Sequence, residues 1–302
     1  SYDGGMTVEQ LLNDGWQFCK LPLGSTLEDV SNAALQAVDL PHDFLIENEN
    51  DLYETTDAWY LRTLDVPESW CASCVLVRFD GVYMDCDVLL NGHVVCTHHY
   101  GYTAFDVDLT SRLLVGRNTL AVHIRHQSPN SRWYSGAGIY RDVTLHVLPK
   151  RHIPLDGVYV TTTHELESWT MTIDTELCGV KDNGVLTHVL LDGDVPVCDV
   201  TVEAAGDHAN AVMQVLSPKL WSPDAPNVYT LQTMLGNQVI RQNVGFRDLT
   251  FTTDRGLLVN GAPVKLHGVC LHHDLGCLGS AFHEKAMRRQ LRAMRQMGVN
   301  AL

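Results

Sequence analysis

The chain has 302 residues, of which 45% are hydrophobic and 19% are charged, and its formal net charge is −15 at pH 7. This composition is ordinary for a soluble protein, and the length allows two or three domains with buried cores. The negative charge repels phosphate backbones and anionic lipid head groups, which excludes nucleic acid and membrane surfaces as expected partners and favours a neutral ligand.

The nine cysteines are odd in number and scattered along the chain, a pattern that favours a reducing compartment over a disulfide framework. No apolar run is long enough to span a bilayer, and the first residues lack the regions of a secretion signal. We therefore expect a cytoplasmic protein. Cys71 and Cys74 have the spacing of a metal or redox pair. A single pair is a weak signal, and a loop of small residues before a strand is the preferred interpretation.

The region from residue 15 to about residue 149 has the alternating pattern of β-strands broken by turns. Strands are predicted at residues 59–66, 74–82, 86–95, 103–109, 119–125 and 141–148. Asn91-Gly92 predicts a hairpin turn within the third of these runs. Many short strands without helical patterns indicate a β-sandwich or a jelly roll.

Two loops of this region are unusual, at residues 40–44 and 128–139. The second holds Arg132 and Trp133, followed by the flexible run of residues 135–138. An aromatic residue beside an arginine on such a loop is often a sugar-binding device, because the ring stacks on the apolar face of a sugar while polar neighbours bind its hydroxyls. Trp133 could equally close the end of the sandwich core.

The stretch from Pro149 to Pro154 indicates a domain boundary, and a new series of strands begins after it. Seven runs are predicted, at residues 157–162, 168–177, 184–191, 196–202, 211–216, 228–235 and 238–246. Their number and spacing are typical of an immunoglobulin-like sandwich. No clustered acids, metal-ligand spacing or phosphate-binding loop occurs in this stretch of the sequence.

The stretch from Phe251 to Leu302 changes from a strand pattern to the beginning of an α/β unit. Asn260-Gly261 predicts a hairpin turn, and an apolar run then ends in the ionisable residues at 272–274. A helix is predicted next, with Ser280 as its N-cap and Gly298 at its C-terminal end. Its apolar stripe consists of Met287, Leu291, Met294 and Met297. Residues 299–302 predict a strand parallel to the one before the helix.

Seven stretches of the sequence, in this order and at this spacing, resemble glycoside hydrolase family 2. They are DLPHDF (39–44), AWYLRTLDVP (58–67), FDGVYMDCDVLLNGHVV (79–95), GYTAFDVDLT (101–110), SRWYSGAGIYRDV (131–143), LWSPDAPNVYTL (220–231) and the stretch from VGFRDLTF to LHGVCLHHDLG (244–276). The resemblance implies a multidomain, mainly β protein. Its expected parts are a jelly-roll sugar-binding domain (1–150), an immunoglobulin-like β-sandwich (151–249) and the first βα segment of a TIM barrel (250–302).

The activity that the resemblance implies is retaining, exo-acting hydrolysis of terminal β-galactosides, which needs a general acid and a carboxylate nucleophile. The family places both glutamates beyond Leu302. No residue of this chain is therefore predicted to be catalytic, and this portion is predicted to be inactive alone. The expected partner is a carbohydrate substrate, with no cofactor and no metal ion, and the full-length enzyme is expected to be a homo-oligomer.

The resemblance also implies that two parts of the substrate site are present. His272 matches a histidine that contacts the sugar in the family's β-galactosidases, and Asp274 follows it at the C-terminal end of a barrel strand. Asn130, Arg132 and Trp133 lie on a loop that reaches over the barrel mouth in relatives. Some relatives carry an acidic residue around Ser131, which this chain lacks.

Three alternatives remain open: a β-glucuronidase, a β-mannosidase, and a non-catalytic carbohydrate-binding module. The family's glucuronidases carry Lys-His-Glu-Asp where this chain has Leu-His-His-Asp at 271–274. Without that lysine, a carboxylate substrate lacks a fixed cation to offset its desolvation. A binding module would have little reason to keep the apolar stripe of the predicted helix, because an exposed apolar stripe favours aggregation.

Overall fold

The computed structural model of the chain describes residues 7–130 and 134–302. By the spacing of their Cα atoms, these residues divide into two units. The first comprises residues 8–148 and 270–297, and the second comprises residues 149–269 and 298–302 together with residue 7.

Antiparallel sheets form most of the first unit. Its strands are Val8–Leu11 (β1), Trp16–Leu21 (β2), Gln36–Val38 (β3), Thr56–Val66 (β4), Cys74–Phe79 (β5), Val82–Tyr83 (β6), Cys86–Leu90 (β7), His93–His98 (β8), Phe105–Asp108 (β9), Gly116–His126 (β10), Gly138–Ile139 (β11) and Val143–Leu148 (β12). One sheet has the order β1-β12-β5-β9, another has the order β3-β2-β4-β10-β7-β8, and β6 pairs with β11. Every strand run predicted for this region overlaps at least one of these strands.

The core of this unit lies between its two larger sheets. Along β5, the side chains of Val75, Val77 and Phe79 are buried, whereas those between them are half-buried. This alternation follows from the period of two in a strand, and it places one face of the strand in the core. Buried side chains of the other sheet, such as Tyr60 and Leu120, belong to the same core.

A short helix, Leu27–Ser31 (α1), departs from the all-strand prediction for this region. Thr26 and Asp29 form a capping box at its N-terminus, and Val30 packs with Cys19, Trp59 and other buried residues. A helix of five residues is too short to show a 3.6-residue period, so only its capping pair could have indicated it in the sequence.

The second unit contains the immunoglobulin-like sheet. Its strands are Val158–Glu165 (β13), Ser168–Asp192 (β14), Val195–Leu216 (β15), Tyr229–Leu235 (β16) and Gln238–Val244 (β17). They pair in the order β13-β14-β16-β17, and β15 also pairs with β14. The core of this unit includes Trp169, Ile173, Leu231 and Phe246.

The prediction of seven separate strands in this unit was wrong, because β14 and β15 each cover two of the predicted runs. Their pairing continues through register shifts between Glu176 and Val180 and between Val180 and Gly184. Such irregularities bend a strand without ending it, and Glu203, His208 and Asn210, which lie between two predicted runs, pair with β14.

Three short strands follow: Leu249–Thr252 (β18), Gly256–Val259 (β19) and Ala262–Pro263 (β20). Asn260 and Gly261 join β19 to β20 with φ angles of 52° and 76°, which confirms the predicted turn. Further along the chain, Gly268 forms a parallel bridge with Ala301. The predicted parallel pairing of the two chain segments is therefore confirmed.

The helix of the last segment spans Glu284–Gln296 (α2) and belongs to the first unit. The prediction that Ser280 caps it was wrong, since His283 is the N-cap and the buried Ser280 donates from its amide and its hydroxyl to Asp43. Gly298 has a φ of 88°, as expected for a glycine that ends a helix. None of the residues of α2 is buried. In the described part of the chain, no helix has the length and apolar content that a membrane crossing needs.

Candidate functional site

The segment with His272 and Asp274 is the first predicted part of the substrate site. His272 is exposed, whereas His273 and Asp274 are half-buried. In the chain, the segment follows Gly268, which forms an isolated parallel bridge with Ala301. Sites of barrel enzymes are built after the C-terminal ends of parallel strands, so the order of these elements in the chain agrees with the predicted substrate contact, which stays a prediction.

His273 attaches this segment to the loop of residues 134–139. Its Nε2 atom lies 2.6 Å from the carbonyl oxygen of Ser135. A carbonyl oxygen can only accept a hydrogen bond, so Nε2 carries the proton. The ring also packs edge-on against Tyr102, with 5.4 Å between centroids, and lies 6.1 Å from the ring of Tyr140. His273 therefore anchors the segment, and its neighbour His272 is exposed.

Asn130, one of the predicted site residues, contacts this loop at Ser135. Its side-chain amide donates to the hydroxyl oxygen of Ser135 at 3.3 Å. Ser135 thus contacts Asn130 through its side chain and His273 through its backbone. Arg132 and Trp133 lie outside the described residues, so their predicted roles stay predictions, as do the sugar contacts of His272, Asp274 and Asn130.

Asp43 was given no role by the sequence, yet it forms a large hydrogen-bond network in this region. Its Oδ1 atom accepts from the backbone N–H groups of Leu45 and Ala137, both at 3.1 Å. Its Oδ2 atom accepts from the Tyr134 hydroxyl at 2.6 Å, from the Ser280 amide at 2.8 Å and from the Ser280 hydroxyl at 3.0 Å. The side chain is only 1% exposed. A buried carboxylate needs such donors to offset its desolvation.

Tyr134 links this network to the predicted site. Burial, the charge of Asp43, the hydrogen bond to Asp43 and then the charge of Asp274 all raise the pKa of the Tyr134 phenol. The hydroxyl therefore stays protonated and donates to Asp43.

Two glycines permit the close packing around Asp43. A Cβ atom added at Gly136 would lie 2.7 Å from Oδ2 of Asp43, and one added at Gly279 would lie 2.4 Å from the same atom. Both residues have positive φ, 66° and 58°. The run of residues 135–138, which the sequence analysis interpreted as flexible, is instead buried and hydrogen-bonded, so that interpretation was wrong.

The two unusual loops also pair through their backbones. The amide of His42 donates to the carbonyl of Ile139 at 2.8 Å, and that of Phe44 donates to the carbonyl of Ala137 at 2.9 Å. The His42 ring lies between Glu47, 2.8 Å from Nε2, and the Tyr60 hydroxyl, 2.7 Å from Nδ1. Burial and the charge of Asp43 raise the pKa of Tyr60 well above its usual value. The Tyr60 hydroxyl therefore stays protonated, and Nε2–H of His42 donates to the Glu47 carboxylate.

A cleft of about 440 Å³ lies beside the anchored segment. Its lining residues are Asp80, Ala104, Tyr140, Arg141, Asp142, His273, Ser280, Phe282 and Met287. Burial and the charge of Asp142 raise the pKa of Asp80. Among the described residues, no group of three or more His, Cys, Asp and Glu side chains has a geometry that could hold a metal ion.

Three family models together match almost all of the chain. The model for the sugar binding domain of glycosyl hydrolases family 2 matches residues 7–149, the central model of that family matches residues 152–247, and its TIM barrel model matches residues 251–302. The chain belongs to glycoside hydrolase family 2. The predicted fold class is confirmed: a sugar-binding β domain, an immunoglobulin-like domain and the start of a TIM barrel.

Similar proteins of this family carry two activity names. A β-galactosidase of Bacteroides ovatus is 33% identical over 88% of this chain and 34% of its own length. A putative β-glucuronidase of Formosa agariphila is 29% identical over 98% of this chain and 30% of its own length. The chain thus spans about a third of the length of these curated relatives.

Solved structures of the family share the fold. A family 2 member from Bacteroides cellulosilyticus has a TM-score of 0.87 and 28% identity, over 97% of this chain and 44% of that one. A β-glucuronidase of Bacteroides uniformis has a TM-score of 0.84 and 28% identity, over 97% of this chain and 39% of that one. The limits of the family models differ from those of the two units, so the predicted domain limits at residues 150 and 249 stay predictions.

Proposed function

We propose that the complete protein is a retaining, exo-acting β-galactosidase, to which this chain contributes the two β domains and the first βα segment. The observation that supports this specificity is the environment of residues 271–274. His273 stands where the family's glucuronidases have a glutamate, and its Nε2–H donates to the Ser135 carbonyl. A glutamate carboxylate could not make that bond, because both groups are acceptors.

Leu271 supports the same specificity. It is an exposed apolar side chain at the position of the glucuronidase lysine. A carboxylate substrate in a partly desolvated pocket needs a fixed positive partner, and Leu271 provides none. The net charge of −15 would also repel an anionic sugar at a longer distance, although salt screens most of that effect.

A β-glucuronidase is the second candidate, because relatives and solved structures with that name match the chain over a similar length. The deciding experiment is kcat/KM of the full-length protein on matched aryl β-galactoside, β-glucuronide and β-mannoside. We expect the galactoside to have the highest value. A preference for the glucuronide or the mannoside would overturn the assignment.

The isolated 302-residue portion is proposed to hydrolyse none of these substrates above background. The double displacement needs a general acid and a nucleophile, and the family places both beyond Leu302. Turnover by the purified fragment, with its mass verified, would contradict this. A cytoplasmic location and a homo-oligomeric complete enzyme are further proposals, and fractionation and light scattering would test them.

A further inference from the structure

We propose that Asp43 is a positioning residue of the substrate site, which holds the segment with His272 and Asp274 against the loop of residues 134–139. The inference rests on the proposed function, since these are the residues expected to meet the sugar. Asp43 itself is buried and acts through the segments that donate to it.

The donors to Asp43 come from three parts of the chain. Leu45 is 2 residues from Asp43 in the sequence. Tyr134 and Ala137, on the loop of residues 134–139, are 91 and 94 residues away, and Ser280 is 237 residues away. Every one of these donors is a neutral N–H or O–H group. Removal of the carboxylate would leave several buried donors without an acceptor. The segments that carry these donors would then separate more easily.

The substrate segment is attached to the loop at two points. At one end, His273 donates to the Ser135 carbonyl. At the other end, Ser280 donates twice to Asp43, which also holds Tyr134 and Ala137 of the same loop. His272 and Asp274 flank the first attachment point, His273, in the sequence, and Asp43 provides the second attachment point.

The chain between the two points is itself closed by backbone hydrogen bonds. The amide of Leu275 donates to the carbonyl of Gly279 at 2.7 Å, and the amide of Gly279 donates to the carbonyl of Gly276 at 2.9 Å. A displacement at Ser280 is therefore transmitted to Leu275, next to Asp274. Small displacements of a substrate-binding group reduce catalysis strongly, because the reacting geometry is demanding.

The first test is a double-mutant cycle on the full-length enzyme with D43N and H272A. Each single variant is expected to lower kcat/KM by about tenfold to a hundredfold, the effect of losing one well-placed polar contact. In the H272A background, D43N should lower kcat/KM by a smaller factor than in the wild type, because one of the two contacts that it positions is already absent. The assay uses whichever aryl β-glycoside the wild-type enzyme hydrolyses fastest.

The matched control is D14N, which removes the same charge at an exposed site where Asp14 pairs with Arg62 and its side chain is 83% exposed. It should leave kcat/KM unchanged. A purely structural role for Asp43 would give additive effects in the cycle, and additive effects would overturn the proposal. Wild-type kcat/KM in H272A would also overturn it, since there would be no sugar contact to position.

The second test does not depend on activity. Amide hydrogen exchange of the full-length protein should become faster in D43N for peptides from residues 134–140 and 270–282, while peptides from β4 and β10 and all peptides of D14N stay unchanged. Unchanged exchange in residues 270–282 of D43N would contradict the proposal. If D43N does not fold, S280A removes one of the same donors and should change exchange and kcat/KM in the same direction by a smaller factor.

The two tests separate this inference from the proposed function. A wild-type preference for a glucuronide would overturn the β-galactosidase assignment, and the cycle would still be measured on that glucuronide. If no glycoside were hydrolysed, the proposed function would fail, and the exchange result would decide whether Asp43 holds the segment.

Discussion

The two units of the chain stabilise a buried polar side chain in different ways. In the first unit, the carboxylate of Asp43 accepts five hydrogen bonds from segments as far as 237 residues away. In the second unit, His188 is fully buried, and its Nδ1 atom lies 2.9 Å from the Thr233 hydroxyl. Burial lowers the pKa of His188 to about 4. A buried charge thus requires many donors, whereas a buried imidazole with one polar partner is kept neutral.

The difference also shows which contacts depend on regular structure. His188 and Thr233 are directly opposite each other in the pairing of β14 with β16. Asp43, Tyr134 and Ser280 lie outside the strands and meet only because three loops converge. Mutations should therefore have larger effects at Asp43, where several donors depend on one acceptor, than at His188.

The largest effect is expected for Asp43→Ala. Loss of the shared acceptor leaves the buried groups of Tyr134, Ala137 and Ser280 unsatisfied, and the free energy of unfolding should fall by about 3 to 4 kcal/mol. Urea unfolding of the full-length protein would measure this. Asp14→Ala is the control, with a change within about 0.5 kcal/mol at its exposed site. A loss below about 1 kcal/mol for Asp43→Ala would show that the donors readily find other partners.

An intermediate effect is expected for alanine at Gly136 or Gly279. Each variant combines a positive φ with a close approach of Cβ to Oδ2 of Asp43, so we expect a loss of about 2 to 3 kcal/mol. Gly116 is a matched control, because its φ is 87° and no atom lies within 4 Å of an added Cβ. Gly116→Ala should lose only about 1 kcal/mol, from backbone strain alone. Equal losses at the three positions would mean that packing against Asp43 contributes nothing.

The smallest effect is a pH dependence due to His188. Its pKa in the folded protein, about 4, is below the usual value of 6.5, so the unfolded chain binds the proton more tightly. The contribution of His188 to the free energy of unfolding is fully present above pH 6.5 and is lost as the pH falls from 6.5 towards 4. Between pH 7 and pH 5 the loss should be about 1 to 2 kcal/mol. Urea unfolding at both pH values, with His188→Gln as the control, checks this; the same pH slope in both proteins would exclude His188 as its source.

The sequence predicted most of the sandwich strands because alternation within a strand depends only on neighbouring residues. It also predicted the Asn260-Gly261 turn and the parallel pairing of the segments before and after the last helix, which follow from local conformation and from the order of the elements. The continuous β14 and β15 were missed because paired strands pass through bends that look like turns in the sequence. These errors concern boundaries rather than the kind of structure.

The candidate site was less predictable for a physical reason. Its residues are in contact only after loops from distant parts of the chain have come together. Asp43 is a single acid in a loop followed by apolar residues, and nothing local distinguishes it from a simple cap of the short helix Phe44–Glu47. Ser280 resembles a helix N-cap in the sequence, but Asp43 engages it three residues before that cap. His273 has no local signal for its bond to Ser135.

The central claim, that residues 271–274 favour a neutral β-galactoside, is tested most directly by the ratio of kcat/KM for matched aryl β-galactoside and β-glucuronide. The full-length wild type should favour the galactoside. In Leu271→Lys, the ratio should fall by about tenfold to a hundredfold, because the new ammonium can pair with the substrate carboxylate. Leu266→Lys, at a position that is 57% exposed, is the control and should leave the ratio unchanged. A wild-type preference for the glucuronide, or an equal change in both variants, would contradict the claim.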